Sequence, residues 1–208
     1  MNLVEVELSD KELDLLLDSE VLPLKRQICE KIEQILLHLK ERLSEEILKN
    51  EEQLPDFLWK QGGRISRGDN YRSYAYRVLD CPAYFDRRDW FTFRTVVMWG
   101  HHSGFHLILH GRFKEVYQDS VVNMLRENSE DLFLTVSDSP WEWIPNTEDH
   151  IKLDGTDIGK LEQVVGKQPF IKLSYYIPLE RYAEIPDIGV AQWKRWQNKL
   201  FQKNIYDE

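Results

Sequence analysis

The chain reads as an α+β fold, with one antiparallel sheet of about five strands centred on a hairpin at 91–110 and a long N-terminal helix and a C-terminal helix packed on it. Three observations carry that reading. The stretch Trp90 to Gly111, WFTFRTVVMWGHHSGFHLILHG, is two strand-like runs joined by a Gly-bounded loop. Apolar residues between Leu24 and Ile47 recur at steps of three and four, the spacing of one helical face. Helical and strand-like segments come in blocks, not in the strand–helix–strand alternation that builds a parallel sheet.

Ser9-Asp10-Lys11-Glu12 is a capping box, in which Ser9 and Glu12 satisfy each other's backbone amides. Leu13, Leu16 and Leu17 follow at helical spacing, so a short helix is expected to run to about Asp18. Pro23 suits the first turn of a second helix. Its stripe is Leu24, Ile28, Ile32, Ile35, Leu36, Leu39, Leu43 and Ile47, too irregular for a heptad seam and suited to lying across a sheet. Pro55 and Gly62-Gly63 end helical character. An Arg-rich loop then leads into a strand around Arg72–Asp80, with Tyr74, Tyr76 and Val78 on one face and Ala75, Arg77 and Leu79 on the other. Cys81-Pro82 is expected to close that strand, because proline donates nothing to a ladder.

In the hairpin, one register sets Trp99 opposite Phe105 with GHHSG as the loop. Phe91, Phe93, Thr95, Val97, Trp99, Phe105, Leu107 and Leu109 then share an apolar face. The other face is mixed: Thr92, Arg94, Val96, Met98, His106, Ile108 and His110, with Arg94 across from His110. A slip of one residue would break this partition. Lys114–Glu127 reads as a helix with Val116, Tyr117, Val121, Met124 and Leu125 inward, and Leu132–Ser137 as a short strand. Thr156 is expected to cap a helix that reaches Val165. Pro169–Pro178 alternates as a strand with Ile171, Leu173, Tyr175 and Ile177 on one face. Asp187 is expected to cap the last helix, whose stripe is Trp193, Trp196 and Leu200. With no linker or repeat, the 208 residues divide into regions of one domain: helical 9–50, sheet-containing 57–178 and a final helix at 187–203.

Charge narrows the function classes. The net value of −9 excludes a general nucleic-acid or anionic-membrane surface. It hides a pattern, however: residues 60–114 carry +6, while 1–52 and 115–208 each carry −7. The N-terminus lacks a signal-peptide pattern, no apolar run is long enough to span a membrane, and Cys29 and Cys81 have no disulfide or metal spacing. Cytoplasmic residence is expected, without a cofactor.

Metal binding by the histidines fails on geometry. His106 and His110 on one strand stand ~13 Å apart at ~3.3 Å per residue, and His101-His102 has no companion ligand pattern. Ser103 beside His101-His102 is not a nucleophile elbow, since a strand and not a helix follows it. Cys81 beside a proline reads as structural. The more specific signal is arginine. Between Lys60 and Lys114 there is no lysine, yet eight of the chain's 13 arginines fall there. Arginine binds carboxylate and phosphate bidentately and stacks on rings. The candidate ligand residues are Arg64, Arg67, Arg72, Arg77, Arg94, His106, His110, Tyr74 and Tyr76. The competing role for these arginines is to pair with the acidic helices. Arg94 near a histidine in a core demands a carboxylate, Asp80 or Asp138, or a bound anion. Trp141 and Trp143 are expected to cover the sheet edge.

The expected function is a binding module for a small anionic or aromatic ligand on the mixed sheet face. The alternatives are a structural or partner-binding protein, and an enzyme with a histidine general base in the same place. No nucleic-acid or membrane partner is expected, and the sequence leaves the oligomeric state open.

Overall fold

The computed structural model describes residues 7–60, 62–127 and 131–201. Helix α1 (Asp10–Leu17) is opened by the Ser9/Glu12 capping box, and α2 (Val21–Lys49) runs 29 residues. A single turn, α3 (Phe57–Lys60), precedes four consecutive strands: β1 (Arg64–Tyr71), β2 (Tyr74–Phe85), β3 (Trp90–Met98) and β4 (His102–His110). Then come α4 (Arg112–Glu127), β5 (Leu132–Thr135), β6 (His150–Lys152), α5 (Ile158–Lys167) and β7 (Phe170–Pro178). A 3-10 segment (Leu179–Glu184) leads into α6 (Ile185–Leu200). The fold is α+β, with one antiparallel sheet in the order β1-β2-β3-β4-β7-β5-β6.

Seven strands replace the expected five. The Arg-rich loop after Gly62-Gly63 is β1, and β6 is a three-residue strand too short to leave a period in the sequence. Cys81-Pro82 does not close β2. The peptide is cis and the ladder steps over it by a register shift between Asp80 and Ala83, so pairing with β3 resumes as far as Phe85. Hairpin β3–β4 is tighter than expected, with Thr95 rather than Trp99 opposite Phe105 and Arg94 opposite His106 rather than His110. The slip is even, so both faces keep the membership read from the sequence except for Trp99, which the shorter loop moves off the apolar face and leaves 39% exposed. Trp99-Gly100-His101 is the loop, and Gly100 supplies the left-handed residue at φ +74°. Asp157, not Thr156, caps α5, its carboxylate accepting from Gly159 N and Lys160 N. Asp187 lies in the first turn of α6, whose start at Ile185 continues the 3-10 segment. Val116 is 66% exposed, and Phe113 takes its place inward from α4.

The main core lies between the sheet and the helices. Phe91, Phe93, Phe105, Leu107 and Leu109 meet Leu36, Leu39 and Leu43 of α2, Val121 of α4, and Trp193 and Trp196 of α6. Each large ring buried fully there contributes ~1.5–3 kcal/mol, so this face supplies most of the fold's apolar stabilisation. Gly189 lets α6 close onto α2, since a Cβ there would stand 2.7 Å from Leu39 Cδ1. Only the second half of the α2 stripe is buried, and Leu24 is 54% exposed.

The other sheet face is covered by the irregular segment 136–149 between β5 and β6. Trp143 packs there with Val78, Val96, Met98 and Ile108, and Trp141, Tyr71 and Tyr76 flank them. The two tryptophans therefore cover the face of the sheet, not its edge. Among the described residues, no helix is long and apolar enough to cross a membrane.

Candidate functional site

Beneath the 136–149 segment, beside the Trp143 cluster, the mixed face holds a set of buried polar side chains, Asp80, Thr92, His106, His150, Lys172 and Ser174. Arg94 of β3 reaches back to Asp80 of β2 in a bidentate pair, Nε to Oδ1 at 2.6 Å and Nη2 to Oδ2 at 2.8 Å. Thr92 Oγ1 donates to the same Oδ1 at 2.8 Å. Asp80 is thus the carboxylate that Arg94 requires, while Asp138 is exposed. Over the guanidinium lie Trp141 and Trp143, with ring centroids 4.7 and 5.2 Å from Cζ.

His106, fully buried, stands next to this pair. Its Nδ1 lies 2.8 Å from Ser174 Oγ of β7, and its Nε2 has no hydrogen-bond partner. Gly104 makes room for the ring, because a Cβ at that position would lie 2.7 Å from Nε2. Lys172 of β7 is also 0% exposed. Its ammonium donates to the Glu142 carbonyl and sits 4.3 Å from the Trp143 ring centroid. Among the described residues, no carboxylate reaches it at ion-pair distance. His102 Nε2 donates to the Trp143 carbonyl at 3.0 Å, and the rings of His106 and His150 face Tyr176.

The electrostatics follow from burial. Desolvation, then Arg94, holds Lys172 well below the usual lysine range. Desolvation first, with Lys172, His102, Arg94 and His150 adding to it, holds His106 well below the ordinary histidine value. Burial likewise brings His102 and His150 each down to about 4. Burial raises the Tyr176 phenol. The layer therefore holds neutral imidazoles and a lysine biased toward its free amine, beside an arginine already satisfied by Asp80.

The structure brings some of the sequence candidates together and scatters others. Arg94 and His106 are cross-strand partners on the mixed face. His110 lies at the far end of that face, stacked on Trp90 at 4.3 Å, with its Nδ1 donating to the Arg88 carbonyl. Tyr76 packs on the same face against Tyr71. Arg72 sits in the β1–β2 turn and holds Glu142 of the covering segment at 2.7 Å. Arg77 points to the helical side, where Glu33 of α2 binds it at 2.7 Å. Arg64 and Arg67 are exposed on edge strand β1, and Tyr74 lies edge-on to His101. The Arg-rich stretch from Arg64 to Tyr71 is strand β1, paired with β2.

Lys172, Ser174, Tyr176, His102 and His150 belong to the layer and were missed as a set. One signal for three of them was present: in IKLSYYI, Lys172, Ser174 and Tyr176 alternate with the apolar Ile171, Leu173 and Ile177. A lysine in mid-strand between buried neighbours is the mark of a polar inner face. His150 carried no signal, because β6 is too short to be read. Among the described residues, no group of three or more His, Cys, Asp or Glu side chains is placed to hold a metal ion.

Comparison with protein-family models, with curated proteins and with solved structures finds no match to this chain.

Proposed function

We propose that the protein is a binding module for a small anion, a carboxylate or phosphate carrying an apolar or aromatic body, seated on the mixed sheet face beneath Trp141 and Trp143. One observation carries the reading. Lys172 is buried completely with a carbonyl and an indole as its partners, surrounded by Arg94 and three histidines. A buried amine without a counter-charge costs stability, and an entering anion would supply that counter-charge. The indoles of Trp141 and Trp143 suit the ligand's apolar body. Entry requires the 136–149 segment to lift. Its ties to the sheet near the site are the hydrogen bonds of Tyr71 and Arg72 to Glu142, of Tyr71, His102 and Lys172 to the backbone of Trp143 and Glu142, and the packing of Trp143 on Val78, Val96, Met98 and Ile108. Free, buried Cys29 and Cys81 agree with a reducing, cytoplasmic setting for this activity.

Thermal shift against phosphate, a set of aliphatic and aromatic carboxylates, and nucleotides tests the reading. An anion that raises the melting temperature of the native chain but not of Lys172→Met supports it. The same binding should take up a proton, read as a calorimetric heat that varies with buffer ionisation enthalpy. No shift with any anion, or equal shifts in both chains, overturns it.

His106 supports a second reading, an enzyme with that histidine as general base. Its Nε2 is unpartnered, and burial keeps the imidazole neutral at pH 7. Turnover of a ligand found in the screen, lost in His106→Gln with binding retained, would favour it over simple binding.

A further inference from the structure

The ring that fills the mixed face belongs to the chain itself. Trp143 is 5% exposed, and its indole packs with Val78, Val96, Met98 and Ile108. Lys172 Nζ lies 4.3 Å and Arg94 Cζ 5.2 Å from its ring centroid. The His106 ring stands 5.2 Å away between centroids. A guanidinium gains from the face of an aromatic ring, so an indole suits this place. Trp143 is nevertheless outside every helix and strand. Its backbone is tied through Tyr71, whose hydroxyl accepts from the Trp143 amide, and through His102 Nε2, which donates to the Trp143 carbonyl.

The indole leaves two of its neighbours unmet. Lys172 has the Glu142 carbonyl and the ring but no counter-charge among the described residues. His106, 0% exposed, spends Nδ1 on Ser174 and has no hydrogen-bond partner at Nε2. Buried polar groups ordinarily find partners. Two unmet ones against a single ring therefore describe what an entering molecule must bring: a negative charge and a hydrogen-bonding group, both carried on an aromatic ring. Their spacing agrees. His106 pairs with Ser174, and Lys172 lies two residues along the same strand. The two are thus diagonal neighbours, ~7–8 Å apart at Cα, a span that one benzene ring with substituents at opposite ends can bridge. A ring hydroxyl both donates and accepts, so it serves Nε2 in either tautomer.

We infer that the ligand is a hydroxylated aromatic carboxylate whose ring takes the place of the Trp143 indole, so that Trp143 is a built-in competitor for the site. This class rests on the anion-binding reading and narrows it. The exchange replaces ring by ring, and it adds a carboxylate at Lys172 and a hydrogen bond at His106. Inorganic phosphate and short aliphatic carboxylates bring charge without the ring, so they do not replace the contacts that the indole gives up.

Calorimetric titration of the full chain with para-hydroxybenzoate, benzoate and cyclohexanecarboxylate tests the class. Para-hydroxybenzoate is expected to bind about fivefold tighter than benzoate, the worth of one hydrogen bond, and His106→Phe should erase that advantage. Benzoate should bind tighter than cyclohexanecarboxylate, which has the charge and bulk without the π face. Trp143→Ala tests the exchange: with the competitor gone, para-hydroxybenzoate should bind about tenfold tighter. If that variant does not fold, the indole N–H resonance of Trp143, assigned by its loss in Trp143→Phe, reports in its place and should shift at saturation. Equal or weaker binding by Trp143→Ala, an unmoved Trp143 resonance, or affinities indifferent to ring and hydroxyl each overturns the inference. If anion binding is still lost in Lys172→Met, the broader anion-binding reading survives that result. Absence of binding by every anion overturns both.

Discussion

Lys172 and Asp80 illustrate two ways of holding charge inside one layer. Asp80 is 5% exposed and carries Arg94 in a two-point pair, so removing its charge leaves a buried guanidinium uncompensated. Asp80→Asn is expected to cost ~3–5 kcal/mol, the usual penalty for breaking a buried pair, read as the shift in urea midpoint at constant slope. A loss below ~1 kcal/mol would mean that water or a rearranged carboxylate replaces Asp80. Lys172 has no such partner. Lys172→Met keeps the length and apolar stem while removing the amine, at the expense of one bond to the Glu142 carbonyl. Its stability at pH 7 should equal the native chain's or exceed it by up to ~2 kcal/mol, since apolar replacement of buried charge is often stabilising. A fall of more than ~2 kcal/mol would mark Lys172 as a strut fastening the 136–149 segment. The residue alternation of IKLSYYI was legible in the sequence, and so was Arg94's need for a carboxylate. Which carboxylate it would be was not, because Asp80 and Asp138 are distinguished only by the pairing of β2 with β3.

At the scale of elements, the β1–β2 hairpin shows where local chemistry and tertiary demand disagree. Its turn places Arg72 at φ 49° and Ser73 at φ 69°, both in the left-handed region. Two-residue hairpin turns of this hand favour Asn-Gly, and without that signal the sequence presents β1 as a loop. Ser73→Gly should relieve the strain and raise stability by ~1 kcal/mol, measured by thermal or urea unfolding. No gain would show that the ladder, not the turn, limits this hairpin. Arg72 earns its strained position by reaching Glu142. The β3–β4 register makes a related point. A period of two is unchanged by any even slip, so the sequence predicts the faces while leaving the pairing open. Loop length decides between them, and the three-residue loop around Gly100 wins.

For the whole molecule, the buried histidines make stability depend on pH. Unfolded, His102 and His150 take up protons near 6.5, whereas folded each resists until about 4. Between those values the unfolded chain binds more protons, so the contribution of these two histidines is complete above the upper value and is lost as pH falls toward the lower one. His106 and Lys172, both held down by burial, act in the same direction. Urea midpoints are expected to fall steadily from pH 7.5 to 4.5, beyond the change produced by surface carboxylates. Replacing His150 with Gln should flatten part of that slope, and an identical slope in the variant would remove His150 as a cause. An anion bound at Lys172 would soften the acid loss further, because it favours the protonated amine.

The sequence by itself determined the α+β class, the long N-terminal and C-terminal helices, the apolar face of the central hairpin and its mixed opposite. These follow from periodicity and capping, which are local properties of adjacent residues. Only the tertiary structure decided that Lys172 and His150 join Arg94 and His106, that Arg77 turns to the helices and Arg64 to solvent, and that Trp141 and Trp143 roof a face. The physical reason is that strand order β4-β7-β5-β6 brings together segments separated by tens of residues. Burial then changes the chemistry of the groups that meet there, and no period within a single strand encodes that meeting.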